Sequence, residues 1–191
     1  RECRWRARLH PLRDQRGVIG LRQHLVQLGR IGLGVEDLEC GAHLPSTASA
    51  AETLIRTGAM PTALHNNCSG KHAGFVCLGC MMADGRDLRA FLRGYVKPDH
   101  PVMREVTAAL QATTGYDLAH TARGTDGCSI PTYAIPLRHL AQAFAKVGTG
   151  VGLRAGHARA ARRLRAAVAK APFMVAGSDR CSADLRDAGA F

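Results

Sequence analysis

The sequence predicts a helix-rich α+β domain, with α/β left open because few strands can be located. Apolar residues make up 46% of the 191-residue chain, enough for a core of its own. They recur at helical spacing in several segments bounded by Gly, Pro and capping residues. Only 63–65, 75–78 (which fits a helix as well) and 130–134 qualify as strands. Aromatic residues are 5% of the chain, so the core falls to Leu, Val, Ile and Ala.

Residues 1–20 read as an atypical basic arm, with five Arg in the first 13 positions and no sustained period. From residue 21 the pattern turns helical: Leu21, Leu25 and Leu28 share a face until Gly29, Gly32 and Gly34 interrupt it. Ser49 and Glu52 have capping-box spacing, which predicts a short helix carrying Leu54 and Ile55 to about Gly58, closed by Met60-Pro61. Asp87 caps a helix through Leu88, Phe91 and Leu92. Asp99-His100-Pro101 opens a longer one with Val102, Met103, Val106 and Leu110, stopped by Gly115. Pro136 starts the next, whose stripe is Leu137, Leu140, Ala141, Phe144 and Val147. The last helix covers about 156–170, with Leu164 and Val168 inward and Arg159, Arg162, Arg163 and Arg165 mostly outward.

The formal net charge is +11, and it is unevenly spread. Residues 1–35 carry eight basic and two acidic side chains, 36–135 carry eight and ten, and 136–191 carry ten and three. The excess sits at the two ends. Of the 26 basic residues, 22 are Arg, a side chain that grips phosphate well, yet charge alone is weak ground for a nucleic-acid reading. No run of 18 apolar residues occurs, so no membrane span is expected, and no apolar h-region follows the basic N-terminus. Seven Cys, an odd number without an export signal, point to a reducing cytoplasm.

Two segments carry chemistry. The first is Leu64-His65-Asn66-Asn67-Cys68-Ser69-Gly70-Lys71-His72-Ala73-Gly74, in which all ten positions from His65 are polar, small or reactive. Such a segment needs many hydrogen-bond partners if buried. If a helix starts there, Cys68, Lys71 and His72 share a face. A cation and a helix N-terminus beside the Cys68 thiol would favour a thiolate, which a zinc ion or a nucleophilic mechanism needs. The second segment is Gly124-Thr125-Asp126-Gly127-Cys128-Ser129-Ile130-Pro131, a tight loop that pairs an Asp with a Cys across one glycine. Cys68 and Cys128 could converge on one metal. The other reading makes both of them buried small hydrophobes, the commonest fate of a free Cys.

Other candidates carry less. Cys77 and Cys80 have C-x-x-C spacing, but no second pair stands at zinc-ribbon distance, and apolar neighbours point to core packing. Ser69-Gly70-Lys71 fits neither an S-x-x-K pair nor a phosphate loop. His43 reads as a loop residue, and His100 as part of a helix start.

The chain resembles the rhizobial-type L-asparaginases, the asparaginase II family. The resemblance rests on Leu38-Glu39-Cys40-Gly41-Ala42-His43 with Pro45, Pro61-Thr62-Ala63-Leu64 running on through the first segment, Pro98-Asp99-His100-Pro101-Val102, Asp126-Gly127-Cys128 and Pro131-Thr132-Tyr133-Ala134-Ile135-Pro136-Leu137. It is strongest over 38–147, fainter over 23–37 and 148–187, and absent from 1–20. It implies hydrolysis of L-asparagine to L-aspartate and ammonia on a fold similar to serine β-lactamases and glutaminases. It further implies zinc held by Cys68, Lys71 and Cys128, with His72 and Asp126 beside the site orienting ligands and substrate. A homodimer is compatible with it.

One departure bears on catalysis. Family members carry two upstream serines, one in an S-x-x-K pair, and a downstream catalytic lysine. This chain has no Ser before Ser46, no S-x-x-K, and Lys170 as its last Lys. The catalytic residues are therefore unassigned, and 21–191 is expected to be a partial asparaginase II-like domain, a fragment lacking the catalytic serines. The contrasting expectation is a basic non-enzymatic module that binds nucleic acid through its Arg-rich ends. The slightly acidic 36–135 region suits a small zwitterion better than a polyanion.

Overall fold

The computed structural model describes residues 28–171 and Val175. The 1–20 arm and the first turns of the helix expected from Leu21 lie outside them. Among the described residues the chain is helix-rich with one two-stranded sheet, which is compatible with α+β. The helices are α1 (Ala48–Arg56), α2 (Ser69–Met82), α3 (Leu88–Leu92), α4 (Pro101–Thr114), α5 (Leu137–Thr149) and α6 (Ala155–Lys170). The strands are β1 (Arg123–Thr125) and β2 (Pro131–Tyr133), and 3-10 turns occupy Val35–Asp37 and Ala63–His65. No helix among the described residues is long and apolar enough to cross a membrane.

The chain divides into two compact units. Among the described residues the first comprises 28–104 with Thr125–Pro131. Its core gathers Leu28, Leu33, Leu38, Leu64, Val76, Leu92, Tyr95 and Val102, together with Cys40 and Cys128. Burying each of the large aliphatic side chains contributes about 1.5–3 kcal/mol. α2 runs through this unit and buries Ser69, His72, Ala73, Val76 and Gly79, an i, i+3, i+4 stripe. Gly79 is where α3 comes close: a Cβ there would meet the buried Leu92 side chain and stand 3.3 Å from Val102 Cγ2.

Local chemistry sets the ends of these elements. Arg86 closes α2 by donating to the carbonyls of Ala83 and Met82, and its guanidinium lies 4.2 Å above the Phe91 ring. The Asp87 carboxylate accepts from the Ala90 amide at 2.9 Å and starts α3, as its position predicts. At α4 the cap is His100 rather than Asp99: Nδ1 accepts from the Val102 amide at 3.2 Å while Nε2 donates to the Phe91 carbonyl at 2.7 Å. α1 is capped two residues before the expected Ser49. Thr47 occupies the cap, and Ser49 sits inside the helix with its carbonyl taking the Thr53 hydroxyl.

Two strand expectations give way. Residues 63–65 form a 3-10 turn because the Thr62 amide donates to His65 Nδ1 at 2.9 Å and the His65 amide returns to the Thr62 carbonyl. Residues 75–78 belong to α2, whose Ala73 and Gly79 let a helix pack closely. Near 130–134 the strand is real but narrower, Pro131–Tyr133, and its partner β1 is fully exposed and has no apolar alternation to reveal it.

Among the described residues the second unit comprises Glu105–Gly124 and Thr132 onward. α5 and α6 pack together in it, and Gly150 at φ +81° ends α5. His139 Nδ1 donates to the Thr114 carbonyl at 3.0 Å, and its ring stands 4.9 Å from that of Tyr116. The apolar stripes here are only partly covered: Leu140, Val147 and Val168 are half-buried, whereas Leu137 is 80% exposed, Phe144 78% and Leu164, expected inward, 65%. α6 instead buries Ala158 and Ala161, because a close helix pair is made by small side chains.

Two outcomes are expected. Gly79→Ala gains about 1 kcal/mol of helix propensity but overpacks Leu92 at a cost of about 1–3 kcal/mol, so chemical denaturation should show net destabilisation. The exposed pair His120 Nδ1 and Asp117 Oδ2, 2.8 Å apart, raises the imidazole and lowers the carboxyl, in each case mainly through their hydrogen bond. The His120 share of stability is complete below the unfolded histidine range and is lost as pH rises through the folded value. The Asp117 share is lost as pH falls through the folded carboxyl value. NMR titration should therefore find His120 above 6.5, and Asp117→Asn should bring it back down.

Candidate functional site

Both segments singled out by sequence present a cysteine in the same way. Asn66 is buried, and its Oδ1 accepts from the Cys68 amide at 2.8 Å, while its Nδ2 donates to the Cys40 carbonyl at 2.5 Å. The Asn66 main-chain carbonyl takes the Ser69 amide at 2.9 Å, and α2 begins. In the hairpin loop Asp126 Oδ1 accepts from the Cys128 amide at 2.9 Å and from the Ile130 amide at 3.1 Å. Each is an Asx turn reaching two residues forward. The return is sharp: Ser129 adopts φ +74°, and the Asp126 amide and Ile130 carbonyl meet at 2.9 Å.

These turns bring Lys71, Asp126 and Cys128 together, with Cys68 beside them. Lys71 Nζ donates to Cys128 Sγ at 3.0 Å and to Asp126 Oδ2 at 3.5 Å. The Cys128 thiol in turn stands 3.1 and 3.2 Å from the two Asp126 oxygens. The Cys68 thiol is near enough to raise the proton affinity of Cys128. Cys128 therefore has two faces, one in the apolar core and one in a polar cluster, and the buried-hydrophobe reading describes only the first.

The charges follow from this packing. Burial pushes the Cys128 thiol up to about 11, with Asp126 and Cys68 acting the same way and Lys71 opposing. Burial pulls Lys71 down, but its hydrogen bond to Cys128 and the charges of Cys128, Cys68 and Asp126 outweigh that and hold the ammonium above its ordinary range. Burial likewise raises Asp126, and is outweighed by hydrogen bonds from the Cys128 thiol and the Cys128 and Ile130 amides together with the Lys71 charge, so the carboxyl ends low. The cation that spacing assigns to Cys68 thus makes its hydrogen bond to Cys128, where burial wins and the thiol keeps its proton.

His72 lies one residue on and is fully buried. Its Nδ1 is 2.7 Å from the Tyr95 hydroxyl, and Phe75 and Tyr95 pack edge-on at 5.4 and 5.6 Å. Burial first, then the Lys71 charge, lowers its pKa to about 4, so the ring is neutral at pH 7. Among the described residues its Nε2 is the one buried side-chain N or O atom without a hydrogen-bond partner.

Neighbouring candidates have structural roles. His43 takes the Asn67 amide on Nε2 at 3.3 Å and steadies the loop before α2. Cys40 is buried and donates to the Ala63 carbonyl at 3.4 Å, and Cys77 and Cys80 are half-buried on α2. Sequence reasoning missed Asn66 and Tyr95. The repeated Asx-x-Cys spacing could have found Asn66, whereas Tyr95 is recruited by tertiary contact alone. Among the described residues no group of three or more His, Cys, Asp or Glu is disposed to hold a metal ion. A metal at this cluster would have to take Lys71 as a ligand.

Comparison with known families finds that the model described as L-asparaginase II matches residues 21–190. No curated protein matches the chain.

Asn66→Ala is expected to destabilise the protein by about 1–3 kcal/mol, since it strands the Cys40 carbonyl and the Cys68 amide. Urea unfolding measures the loss. Amide exchange should quicken first at Cys68 and Ser69.

Proposed function

Because the chain belongs to the L-asparaginase II family, we propose that it serves hydrolysis of L-asparagine to L-aspartate and ammonia, with zinc held by Cys68, Lys71 and Cys128. An asparaginase-like amidohydrolase in general is what membership gives. The particular substrate, the metal and a fold related to serine β-lactamases are the further reading. One observation carries it: Lys71 Nζ and Cys128 Sγ, 57 positions apart, meet at 3.0 Å.

The donor set fits zinc in its chemistry. Two thiols suit a borderline-soft ion, and a neighbouring dication favours the neutral amine that a lysine ligand must offer. Without metal the same atoms hold protons, on Lys71 and Cys128, that binding would release. Bound there, zinc supplies a fixed positive charge that helps hold the substrate.

The chain's own residues do the rest. Asp126 anchors the Cys128 loop through two amides and pairs with Lys71, while neutral His72 brings an uncharged ring nitrogen to the cluster. In the hydrolysis the carboxamide C–N bond breaks, a C–O bond to water's oxygen forms, and the nitrogen leaves as ammonia. The family's Ser–Lys pair has no counterpart in this sequence, so no residue here is assigned as nucleophile.

Metal analysis of the purified chain, calorimetry with L-asparagine and an ammonia-release assay test the reading together. Zinc should bind, and Cys128→Ser should weaken it at least about tenfold. A folded protein that takes up neither zinc nor L-asparagine overturns the reading. One that binds both without releasing ammonia retains the site and removes hydrolysis from this chain.

A further inference from the structure

The Tyr95 hydroxyl is the only link between the main chain at Glu39 and the buried imidazole of His72 among the described hydrogen bonds. Its oxygen accepts from the Glu39 amide at 2.9 Å and lies 2.7 Å from His72 Nδ1. Both side chains are fully buried. Burial also holds the phenol far above its ordinary range, so it keeps its proton.

That proton decides the histidine tautomer. A phenol has one hydrogen to give, and the Glu39 amide cannot receive it. If His72 Nδ1 carried a hydrogen it would donate to the phenol oxygen, leaving the Tyr95 hydrogen without an acceptor and Nε2 without a donor. Two buried groups would then be unsatisfied. If Nδ1 is bare it accepts from Tyr95, the hydrogen sits on Nε2, and only one group lacks a partner. The second arrangement wins by that count. A doubly protonated ring would strand the phenol hydrogen again.

The remaining Nε2–H is directed away from Tyr95. The groups acting on the ring from elsewhere are the charges of Lys71 and Asp126 and, as a hydrogen-bond acceptor, the Cys128 main chain, which does not reach the geometry of a formed hydrogen bond to Nε2. We propose that Tyr95 is a positioning residue: its hydroxyl donates to His72 Nδ1, fixes the Nε2–H tautomer, and holds one neutral donor ready for an oxygen of the substrate. The donor's use rests on the function proposed above; the tautomer does not.

The test is nitrogen NMR of the full chain with 15N-labelled histidine, freed of metal by a chelator and held at pH 7. The His72 signals are assigned by their loss in His72→Gln. A bare Nδ1 and a protonated Nε2 are expected, with Tyr95→Phe producing a tautomer mixture. L-Aspartate, which carries the acceptor oxygens, should move the Nε2–H signal and bind about three- to tenfold more weakly to Tyr95→Phe. A protonated Nδ1 in the unaltered protein overturns the proposal, as does a folded Tyr95→Phe with the tautomer unchanged. If Tyr95→Phe fails to fold, the spectrum of the unaltered protein still decides. The expected tautomer with no response to L-aspartate overturns the donor role and assigns the failure to the reading of the site rather than to Tyr95.

Discussion

The primary amide of Asn66 is the constraint on which the site depends. One side chain ties the Cys40 carbonyl to the Cys68 amide, and so decides where α2 starts. In a helix each residue turns by about 100°. Starting α2 one residue earlier or later would swing Lys71 off Cys128 and roll His72 out of the core. The helix dipole and propensity are indifferent to that choice, because Ser69, Gly70 and Ala73 tolerate any of these phases. A buried hydrogen-bonding group is not indifferent, since each wrong phase leaves it unpaired.

The same physics knits the site to the core. Residues 38–40 are held between Asn66 and Tyr95: the Glu39 amide reaches the Tyr95 hydroxyl, its carboxylate takes the Gly94 amide at 2.7 Å, and the Cys40 carbonyl takes Asn66. None of these bonds is an exposed ion pair of little worth. They are buried or partly buried, in surroundings where hydrogen bonds are strong and unmade ones costly. By contrast, Arg89, which touches Glu36 and Asp37 at 3.4 and 3.2 Å, is more than half exposed and adds little.

What could be read from the sequence was local. The starts of α3 and α4 and the stop at Gly115 were visible because a cap or a left-handed glycine acts within a few residues. Helical period also told correctly which residues of α5 share a face. It could not tell that Leu137 and Phe144 face outward, since periodicity groups side chains without naming what covers them. The turn at Ala63–His65 was mistaken for a strand because three residues carry no period. At the site, the polar and reactive character of 65–74 was plain from composition, whereas the meeting of Lys71 with Cys128 was suggested only by resemblance. Spacing within one segment says nothing about contact across 57 positions.

The first unit is not continuous in sequence: Thr125–Pro131 joins residues that end at Arg104. That interruption sets an order of assembly. Drawing together ends 57 residues apart costs roughly 3–4 kcal/mol of chain entropy from the length-dependent part alone, more than the Lys71–Cys128 hydrogen bond returns. The two Asx turns, each closed within four residues, have no such cost and can form first. Docking then joins two finished loops rather than two loose strands. A ribosome delivers Asn66, Lys71 and His72 well before Asp126 and Cys128, so the nascent chain passes through a stage in which α2 can already pack on Leu92, Tyr95 and Val102 while half of the cluster has yet to be made.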